Sequence, residues 1–488
     1  MKTKTTLLIS FILIQSITKT IAQTDIDALR YSGSSTTGTA RFTAMSGAFG
    51  ALGGDITGLS YNPAGIAIFR SSEFTFTPSI YSSTTTSHFL GSDFEERKYN
   101  FNIGNIGLIY TNKISKNEDK QGWKSWNFGI GYNRLDNFHN RSFYEGINAG
   151  NSLLNHFAEQ ANGKIPDNLD PFFELQAYNT YLINPDVANH YQSAIPAGKE
   201  IQRRSFESRG AIGETVFTFA ANYSNKFFLG GTLGLKSLRY IESITYEELD
   251  PDTQIAYFNH FKLQQDLTTR GTGVDLKFGI IFKPNDMFRM GVAIHTPTWF
   301  ELHDEYNNKI NSILDTGSVT SFSDEANGTF DYSLTTPFKA LGSIAIIFGK
   351  AGLLSADYEF SDFGESRFNV SGTSFADVNN YIRKKYTGVH TFRIGTEWIY
   401  QNLSFRGGVS MTSSPLAEKY KTGISDFSRK GISGGIGYRE NGLFFDLGYA
   451  YTLSDEYFQP YTLNAEAVPG VKSRVINHNF TATIGVKF

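Results

Sequence analysis

The sequence predicts an all-β protein, a transmembrane antiparallel barrel of about 14 strands with an N-terminal segment in its lumen. Aromatic residues make up 15% of the 488 residues, with 26 Tyr and 42 Phe. Charged residues make up 19%, below the roughly 25% usual in soluble domains. Many segments alternate apolar and polar residues with period 2, which indicates strands whose two faces meet different surroundings. Short and long connections also alternate, as in barrels with tight turns at one end.

The first 22 residues predict a secretory signal peptide. Lys2 and Lys4 give a positive start, an apolar run follows from Leu7 to Ile14, and small residues precede the expected cleavage after Ala22. An uncleaved anchor is the alternative, although the run is too short to span a bilayer as a helix. No later stretch reaches 18 apolar residues without a charge, which excludes a helical membrane protein.

Residues 38–65 consist largely of glycine and other small residues. Such a segment can neither build a thick core nor form a long strand, and it suits a chain that turns tightly in a confined space. Arg41 and Asp55 are its only charges, and we expect each to pair with the lumen wall. Contact between Arg41 and a ligand head group is the alternative. The residues predicted to hold or gate this segment are Gly47, Gly53, Gly54, Asp55, Asn62, Pro63 and Ala64.

About fourteen strands follow, and the C-terminal one is the clearest. From Phe480 to Phe488 every second residue is apolar, and the chain ends on phenylalanine. An even number of strands places both termini at the same end of the barrel. The predicted strands lie near residues 73–81, 99–111, 124–134, 213–224, 227–246, 266–282, 287–302, 330–348, 352–360, 387–400, 402–411, 428–439, 442–452 and 473–488.

The connections predict the orientation of the barrel. Tight polar turns near residues 223–226, 283–286 and 349–352 indicate a periplasmic end, and the intervening connections are long. The longest, from about 135 to 212, contains two stretches, 149–160 and 171–181, that could form short amphipathic helices. Its many apolar side chains either bind a ligand or pack the loop on itself.

Charged residues on the inward phase of the strands are predicted to line the lumen. Each Arg or Lys on the lipid face would cost about 2–4 kcal/mol at the midplane. The lumen charges form either a polar path that anchors the carboxylate of a ligand or an ionic network that fills the lumen. The network would contain pairs such as Asp275 or Lys277 with Arg289, and Glu359 with Arg393. The candidates for a ligand head group or for the lumen network are Arg41, Arg289, Arg393 and Arg406.

The second strand contains a break in its alternation. Phe101 and Ile103 lie on one phase, whereas the apolar residues from Ile106 onward lie on the other. Because a one-residue slip moves every later side chain to the opposite face, we expect a bulge or kink at the junction. The residues at the junction are Gly104, Asn105 and Gly107.

Residues 38–65, with the Asn62-Pro63-Ala64 turn, resemble the N-terminal hatch of FadL/TodX-type outer-membrane transporters. The resemblance implies a signal peptide at 1–22, a hatch at 23–72 that plugs the lumen, and a barrel at 73–488. It also implies diffusive uptake of hydrophobic compounds, chiefly long-chain fatty acids, at the Gram-negative outer membrane. Ligand release would run sideways through a gap at a kinked strand, which the break at Gly104 would mark; a plain bulge is the alternative. The terminal Phe488 resembles the signal read by the barrel-assembly machinery.

Other functions stay open at this level. A barrel of this type could serve as a partner of a secretion system, or as a receptor for haem or aromatic hydrocarbons. We expect no catalysis, because no nucleophile elbow is present, and no metal or other cofactor, because the nine histidines lack ligand spacing. No basic tract suits nucleic acid. The expected partners are a hydrophobic ligand such as a fatty acid and outer-membrane lipid, around a monomeric barrel.

Overall fold

A computed structural model describes residues 24–33, 35–114, 121–148, 150–186, 189–195, 199–250, 255–315, 320–322, 326–370, 374–421 and 426–488. The predicted signal peptide lies outside the described residues. Within these ranges, every helix is too short or too polar to cross a membrane.

The described chain consists mainly of strands. Five α-helices are present: α1 Asp25–Ser32, α2 Ala40–Ala44, α3 Leu153–Ala161, α4 Glu174–Asn179 and α5 Ala376–Lys385. Short 3-10 helices cover Ile56–Leu59, Pro63–Ile68, Pro166–Asn168, Phe363–Glu365 and Glu418–Tyr420. The strands are β1 Glu73–Phe89, β2 Ser92–Lys113, β3 Trp123–Asn137, β4 Asn140–Asn148, β5 Ile183–Pro185, β6 Tyr191–Ser193, β7 Glu200–Tyr223, β8 Phe227–Leu249, β9 His260–Phe282, β10 Phe288–His295, β11 Trp299–Ile313, β12 Thr320–Phe322, β13 Ala326–Thr335, β14 Lys339–Phe348, β15 Gly352–Asp362, β16 Arg367–Asn369, β17 Gly388–Tyr400, β18 Leu403–Thr412, β19 Arg429–Glu440, β20 Leu443–Phe458 and β21 Val471–Lys487.

The strands close into an antiparallel barrel, because β1 pairs with β2 on one side and with β21 on the other. Four barrel strands are interrupted. β3 and β4 both pair with β7, and β10 and β11 both pair with β9. β14 and β13 pair with β10 and β11, and β15 and β16 pair in turn with β14 and β13. β12 is a short extra strand paired with the outer end of β11. With each broken strand counted once, the barrel has 14 strands, which confirms the predicted fold class.

The two faces of the barrel differ as the alternation predicts. In β9, Leu276, Phe278 and Ile280 are exposed on the outside, whereas Asp275 and Lys277 are buried in the lumen. The same pattern in the other strands gives an outer apolar band typical of a transmembrane barrel. Turns at one end are tight: Ser224 and Asn225, for example, both have positive φ, 57° and 55°, as the two central residues of a type I′ turn do, and Lys226 N donates to Tyr223 O across it.

Two expectations about the other end are wrong in detail. The first two strands were expected to be separated by a long connection, but β1 and β2 pair up to a tight turn at Leu90 and Gly91. The connection at 135–212 is partly strand, because β4 and the first half of β7 extend the barrel wall outward. Polar residues on both faces of these extensions hide the strands from a hydrophobicity pattern, since both faces meet water there. The two helices expected in this loop are present as α3 and α4.

Residues 24–72, here called the inner segment, contact strands around the whole circumference. α2 packs against β18 to β21, the helix Ile56–Leu59 against β2, β3 and β7, and the helix Pro63–Ile68 against β3 and β7 to β9. α1 contacts α5, which lies in the loop after β16. Because it touches opposite walls of a closed barrel, this segment fills the lumen.

Candidate ligand path through the barrel

The Asn62-Pro63-Ala64 turn is seated against two glycines of the barrel wall. Gly230 in β8 and Gly279 in β9 lie directly opposite each other in the ladder. A Cβ on Gly279 would overlap the Asn62 side chain, and one on Gly230 would overlap the Pro63 carbonyl group. Only glycine therefore allows the turn to approach the wall this closely.

Asn62 itself organises the turn and is 1% exposed. Its Oδ1 accepts a hydrogen bond from Ala64 N at 3.1 Å, which caps the helix Pro63–Ile68, and Pro63 occupies the first helical position. Its Nδ2 donates to Gly50 O at 2.5 Å and so ties the turn to the preceding glycine-rich stretch. Gly47, Gly53 and Gly54 all have positive φ, which explains their concentration there.

Asp357 of the barrel wall holds the same stretch from the opposite side. Its Oδ2 accepts hydrogen bonds from Phe49 N at 2.9 Å, Gly50 N at 2.8 Å and the Tyr61 hydroxyl at 3.1 Å. Three donors on one buried carboxylate oxygen fix the inner segment to β15. Burial raises the pKa of Tyr61 well above its ordinary value, so its hydroxyl remains a donor.

Arg41 forms an ion pair with the lumen wall, which is the first of the two roles considered for it from the sequence. Its Nε and Nη2 donate to the two carboxylate oxygens of Glu397, both at 2.8 Å. Burial lowers the pKa of the Arg41 guanidinium, but Glu397 raises it more, and the net pKa lies above its usual range. Asp55 does not bridge to the wall: it caps the helix Ile56–Leu59 by accepting from Thr57 N at 2.9 Å and from the Thr39 hydroxyl at 2.8 Å.

The three wall arginines have different surroundings. Arg406 is fully buried between Glu397 and Asp446, at 2.5 and 2.6 Å. Arg289 donates to Leu52 O at 2.6 Å, and its suggested pairing with Asp275 or Lys277 is wrong, because those two groups pair with Lys236 and Glu214 and with each other. Arg393 forms the expected pair with Glu359 at 2.9 Å. Strand register around the barrel decides these partners.

Two cavities lie in the described part of the barrel. The upper cavity, about 1000 Å³, opens toward the loops, and its aromatic lining includes Phe138, Tyr144, Phe157 and Tyr240. The lower cavity, about 100 Å³, lies beside the inner segment. They share lining residues, including Gly33, Thr36, Lys339, Glu359 and Arg393. Of the four arginines singled out from the sequence, Arg393 alone lines either of these two cavities.

The lower cavity carries more basic than acidic side chains. Its lining includes Lys236, Lys277, Lys339 and Arg393 against Asp275 and Glu359, together with His295, whose Nε2 lies 2.8 Å from Tyr61 O. Lys236, Lys339 and His295 were not assigned to the lumen lining from the sequence. Their positions on the inward phase of the strands could have identified them. Among the described residues, no group of three or more acidic and histidine side chains is placed to hold a metal ion.

The backbone ladder between β2 and β3 ends partway up the wall. It runs from Lys113 to Asn105, which lies opposite Asn133, and the described pairing stops there. Gly104 is the extra residue where the register of β2 against β1 shifts, so the predicted break is a bulge. A second register shift occurs in β3 at Leu135. The lower cavity reaches Asn133 and Leu135 and therefore meets this interruption.

The junction residues connect this interruption to the inner segment. Asn105 donates to Asn133, whose amide donates to the Ser60 hydroxyl at 2.5 Å. Gly107 lies opposite Gly131 in the ladder, and a Cβ there would press on Ile56. Above the pair, side chains bridge the wall: Asn100 Oδ1 accepts a hydrogen bond from Asn137 at 3.1 Å, and the Asn100 amide nitrogen lies 3.1 Å from His139 Nε2.

The apolar residues of the long loop mainly pack together. Leu153, Phe157, Leu182 and Tyr191 belong to one cluster with Phe258 and Phe261. Leu153, Phe157 and Phe173 also line the upper cavity. The two interpretations of this loop are therefore compatible, because the residues that pack it also form the mouth of the path.

No family model and no curated protein sequence matches the chain. Solved structures do. A Pseudomonas aeruginosa FadL homologue aligns with TM-score 0.57 at 12% identity, covering 93% of this chain and 99% of that one. The P. putida toluene transporter TodX aligns with TM-score 0.53 at 12% identity and the same coverage. A TodX deltaS2 mutant gives TM-score 0.56 at 14% identity, covering 92% and 99%. The chain therefore has the fold of these proteins.

Proposed function

We propose that this chain is an outer-membrane channel for diffusive uptake of hydrophobic compounds, with a long-chain fatty acid as its ligand. The observation that carries the proposal is the joined pair of cavities, which leads from the external loops to the end of the β2–β3 ladder beside the inner segment. The fold shared with TodX and the FadL homologue supports the same conclusion.

The walls of the path suit an apolar ligand that enters and leaves. An alkyl chain gains roughly 25 cal/mol per Å² of surface buried against the aromatic lining of the upper cavity. The inner segment closes the lumen below, held by Arg41 on Glu397 and by Asp357 on two backbone amides. Exit then requires either movement of this segment or passage sideways where the ladder ends above Asn105 and Asn133.

The charge of the lower cavity favours an acid over a neutral hydrocarbon. Four basic side chains of its lining face two acidic ones, and Glu214 pairs with Lys277 from outside the lining. These groups together carry one net positive charge, which an added carboxylate balances. Arg393 and Lys339 are the residues assigned to the ligand head group, because both line the two cavities at their junction. An aromatic hydrocarbon is the second candidate, since the upper cavity is lined by aromatic rings and TodX is a toluene transporter.

The test is uptake of labelled long-chain fatty acid and of labelled toluene by cells that lack the protein, with and without its gene restored. We expect saturable fatty-acid uptake, whose KM rises several-fold in Lys339→Met. Lys350→Met in an exposed periplasmic turn is the matched control. Restored toluene uptake without fatty-acid uptake would show that the ligand is an aromatic hydrocarbon and not a fatty acid. No restored uptake of either, with the protein confirmed in the outer membrane, would contradict the proposal.

A further inference from the structure

The outer surface of β7, β8 and β9 carries three exposed arginines above the apolar band. Arg239 in β8 lies directly opposite Arg270 in β9, so both side chains project from the same face. Arg209 in β7 lies one diagonal position away, because its neighbour on that face, Ala211, is opposite Arg239. All three are exposed.

This arrangement is unfavourable for the protein alone. Directly opposed residues have Cβ atoms about 5 Å apart, where like charges repel. Within the described ranges, Arg209 and Arg239 have no side-chain hydrogen bond or ion pair. Arg270 has only Glu305, at 3.7 Å and half exposed, which also lies 3.8 Å from His303. Other acids on this face include Glu301, Asp266 and Glu207, and Glu207 is already paired with Lys98 and Arg141. The charge is therefore left uncompensated mainly at Arg209 and Arg239.

Their height places them at the boundary of the membrane. Phe227 and Phe282 stack at the tight-turn end with ring centroids 4.8 Å apart. Arg239 follows Phe227 by about twelve residues, which at about 3.3 Å per residue and a tilt of about 45° is about 28 Å along the membrane normal. The apolar band of such barrels is about 25 Å tall. The arginines therefore lie just above the hydrocarbon, at the level of the outer-leaflet head groups.

We propose that Arg209, Arg239 and Arg270 form a binding site for the phosphate groups of a phosphorylated glycolipid of the outer leaflet. A phosphate between Arg239 and Arg270 removes their repulsion and accepts paired hydrogen bonds from the planar guanidinium groups. The acyl chains of the glycolipid lie on the exposed Leu233, Leu235 and Val274, below the arginines on the same face. The site rests on the outer-membrane location in the proposed function, but it lies outside the lumen and needs no transport.

The test measures binding of bisphosphorylated lipid A to the purified full-length protein by native mass spectrometry, with dephosphorylated lipid A and inorganic phosphate as comparisons. We expect preference for the phosphorylated lipid and about a 10-fold loss of affinity in Arg239→Gln/Arg270→Gln. Arg97→Gln/Arg474→Gln removes the same charge from two exposed arginines elsewhere and is the matched control. Folding is checked by heat-modified gel migration.

A second variant keeps the result interpretable if the glutamine pair fails to fold. Arg239→Lys/Arg270→Lys retains the charge without the planar donors, and we expect an intermediate affinity. Equal affinity for both forms of lipid A, or equal loss in the control pair, would overturn the site. Competition by millimolar inorganic phosphate that abolishes binding would instead indicate an anion site without a lipid and also overturn it. Fatty-acid uptake by the same variants should be unchanged, so a failure of uptake in the unmodified protein contradicts the transport proposal alone.

Discussion

At the scale of single residues, a few side chains hold the inner segment in the lumen. Asn62 caps one helix and binds Gly50 O, Glu397 receives both Arg41 and Arg406, and Asp357 receives two backbone amides. Apart from the helix cap and the pair of Glu397 with Arg406, each contact joins groups at least twelve residues apart in sequence. Asn62 and Arg41 could be identified from the sequence by the small residues around them. The partner of each could not be predicted, because a single sequence does not show how the strands are aligned around the barrel.

Asn62→Ala is predicted to loosen the inner segment while the barrel stays folded. It removes a helix cap, worth about 1 kcal/mol, and leaves Gly50 O buried without that donor, which costs about 1–3 kcal/mol. Hydrogen exchange of residues 50–65 should accelerate, whereas exchange in the strands should not. Pro63→Ala retains both hydrogen bonds and should have a smaller effect in the same direction. Exchange indistinguishable from the unmodified protein in both variants would contradict the role assigned to the turn.

Glu397→Gln is predicted to destabilise the protein by about 3–5 kcal/mol, because it leaves the buried Arg41 and Arg406 without their shared carboxylate. The midpoint of denaturant unfolding measures the loss. Glu418→Gln, which removes an exposed partner of Lys421, is the control and should change stability by less than about 1 kcal/mol. Similar midpoints for the two variants would show that the lumen network is dispensable.

At the scale of elements, strand positions were predictable and strand ends were not. Every predicted strand overlaps an observed one, because period 2 survives wherever one face meets lipid and the other the lumen. The predicted strands 287–302 and 330–348 each cover two observed strands, so the breaks between β10 and β11 and between β13 and β14 were missed. The extensions of β1, β2, β4 and β7 beyond the membrane lack that contrast. The bulge at Gly104 was readable as a change of phase. The register shift at Leu135 and the contact between α1 and α5 could not be predicted from the sequence.

The fit between the inner segment and the wall gives a prediction at this scale. Gly279→Ala places a methyl group against the Asn62 side chain and should displace the turn, which raises proteolysis of the inner segment. Gly342→Ala, where an added Cβ meets open space, is the control. Combining Gly279→Ala with Asn62→Ala removes the overlap, so the double variant should be no worse than Asn62→Ala alone. Additive effects would show that the two residues act independently.

At the scale of the whole molecule, the proposed uptake through a closed barrel with a filled lumen requires that the ligand leave either past the inner segment or sideways through the wall. The joined cavities end beside a place where the described ladder around the barrel wall stops short. This coincidence could not be read from the sequence, because cavities depend on how the inner segment is seated. The absence of cysteine from the chain makes the exit directly testable with introduced thiols.

The most direct test locks the strands at the base of this exit. Asn105→Cys/Asn133→Cys joins residues that lie directly opposite each other, within the reach of a disulfide. Thr218→Cys/Thr232→Cys, an opposed lumen-facing pair in the continuous β7–β8 ladder, is the matched control. Fatty-acid uptake should fall at least several-fold in the oxidised Asn105/Asn133 variant, recover on reduction, and stay normal in the control. Full uptake with the disulfide shown to be formed would contradict sideways release between β2 and β3.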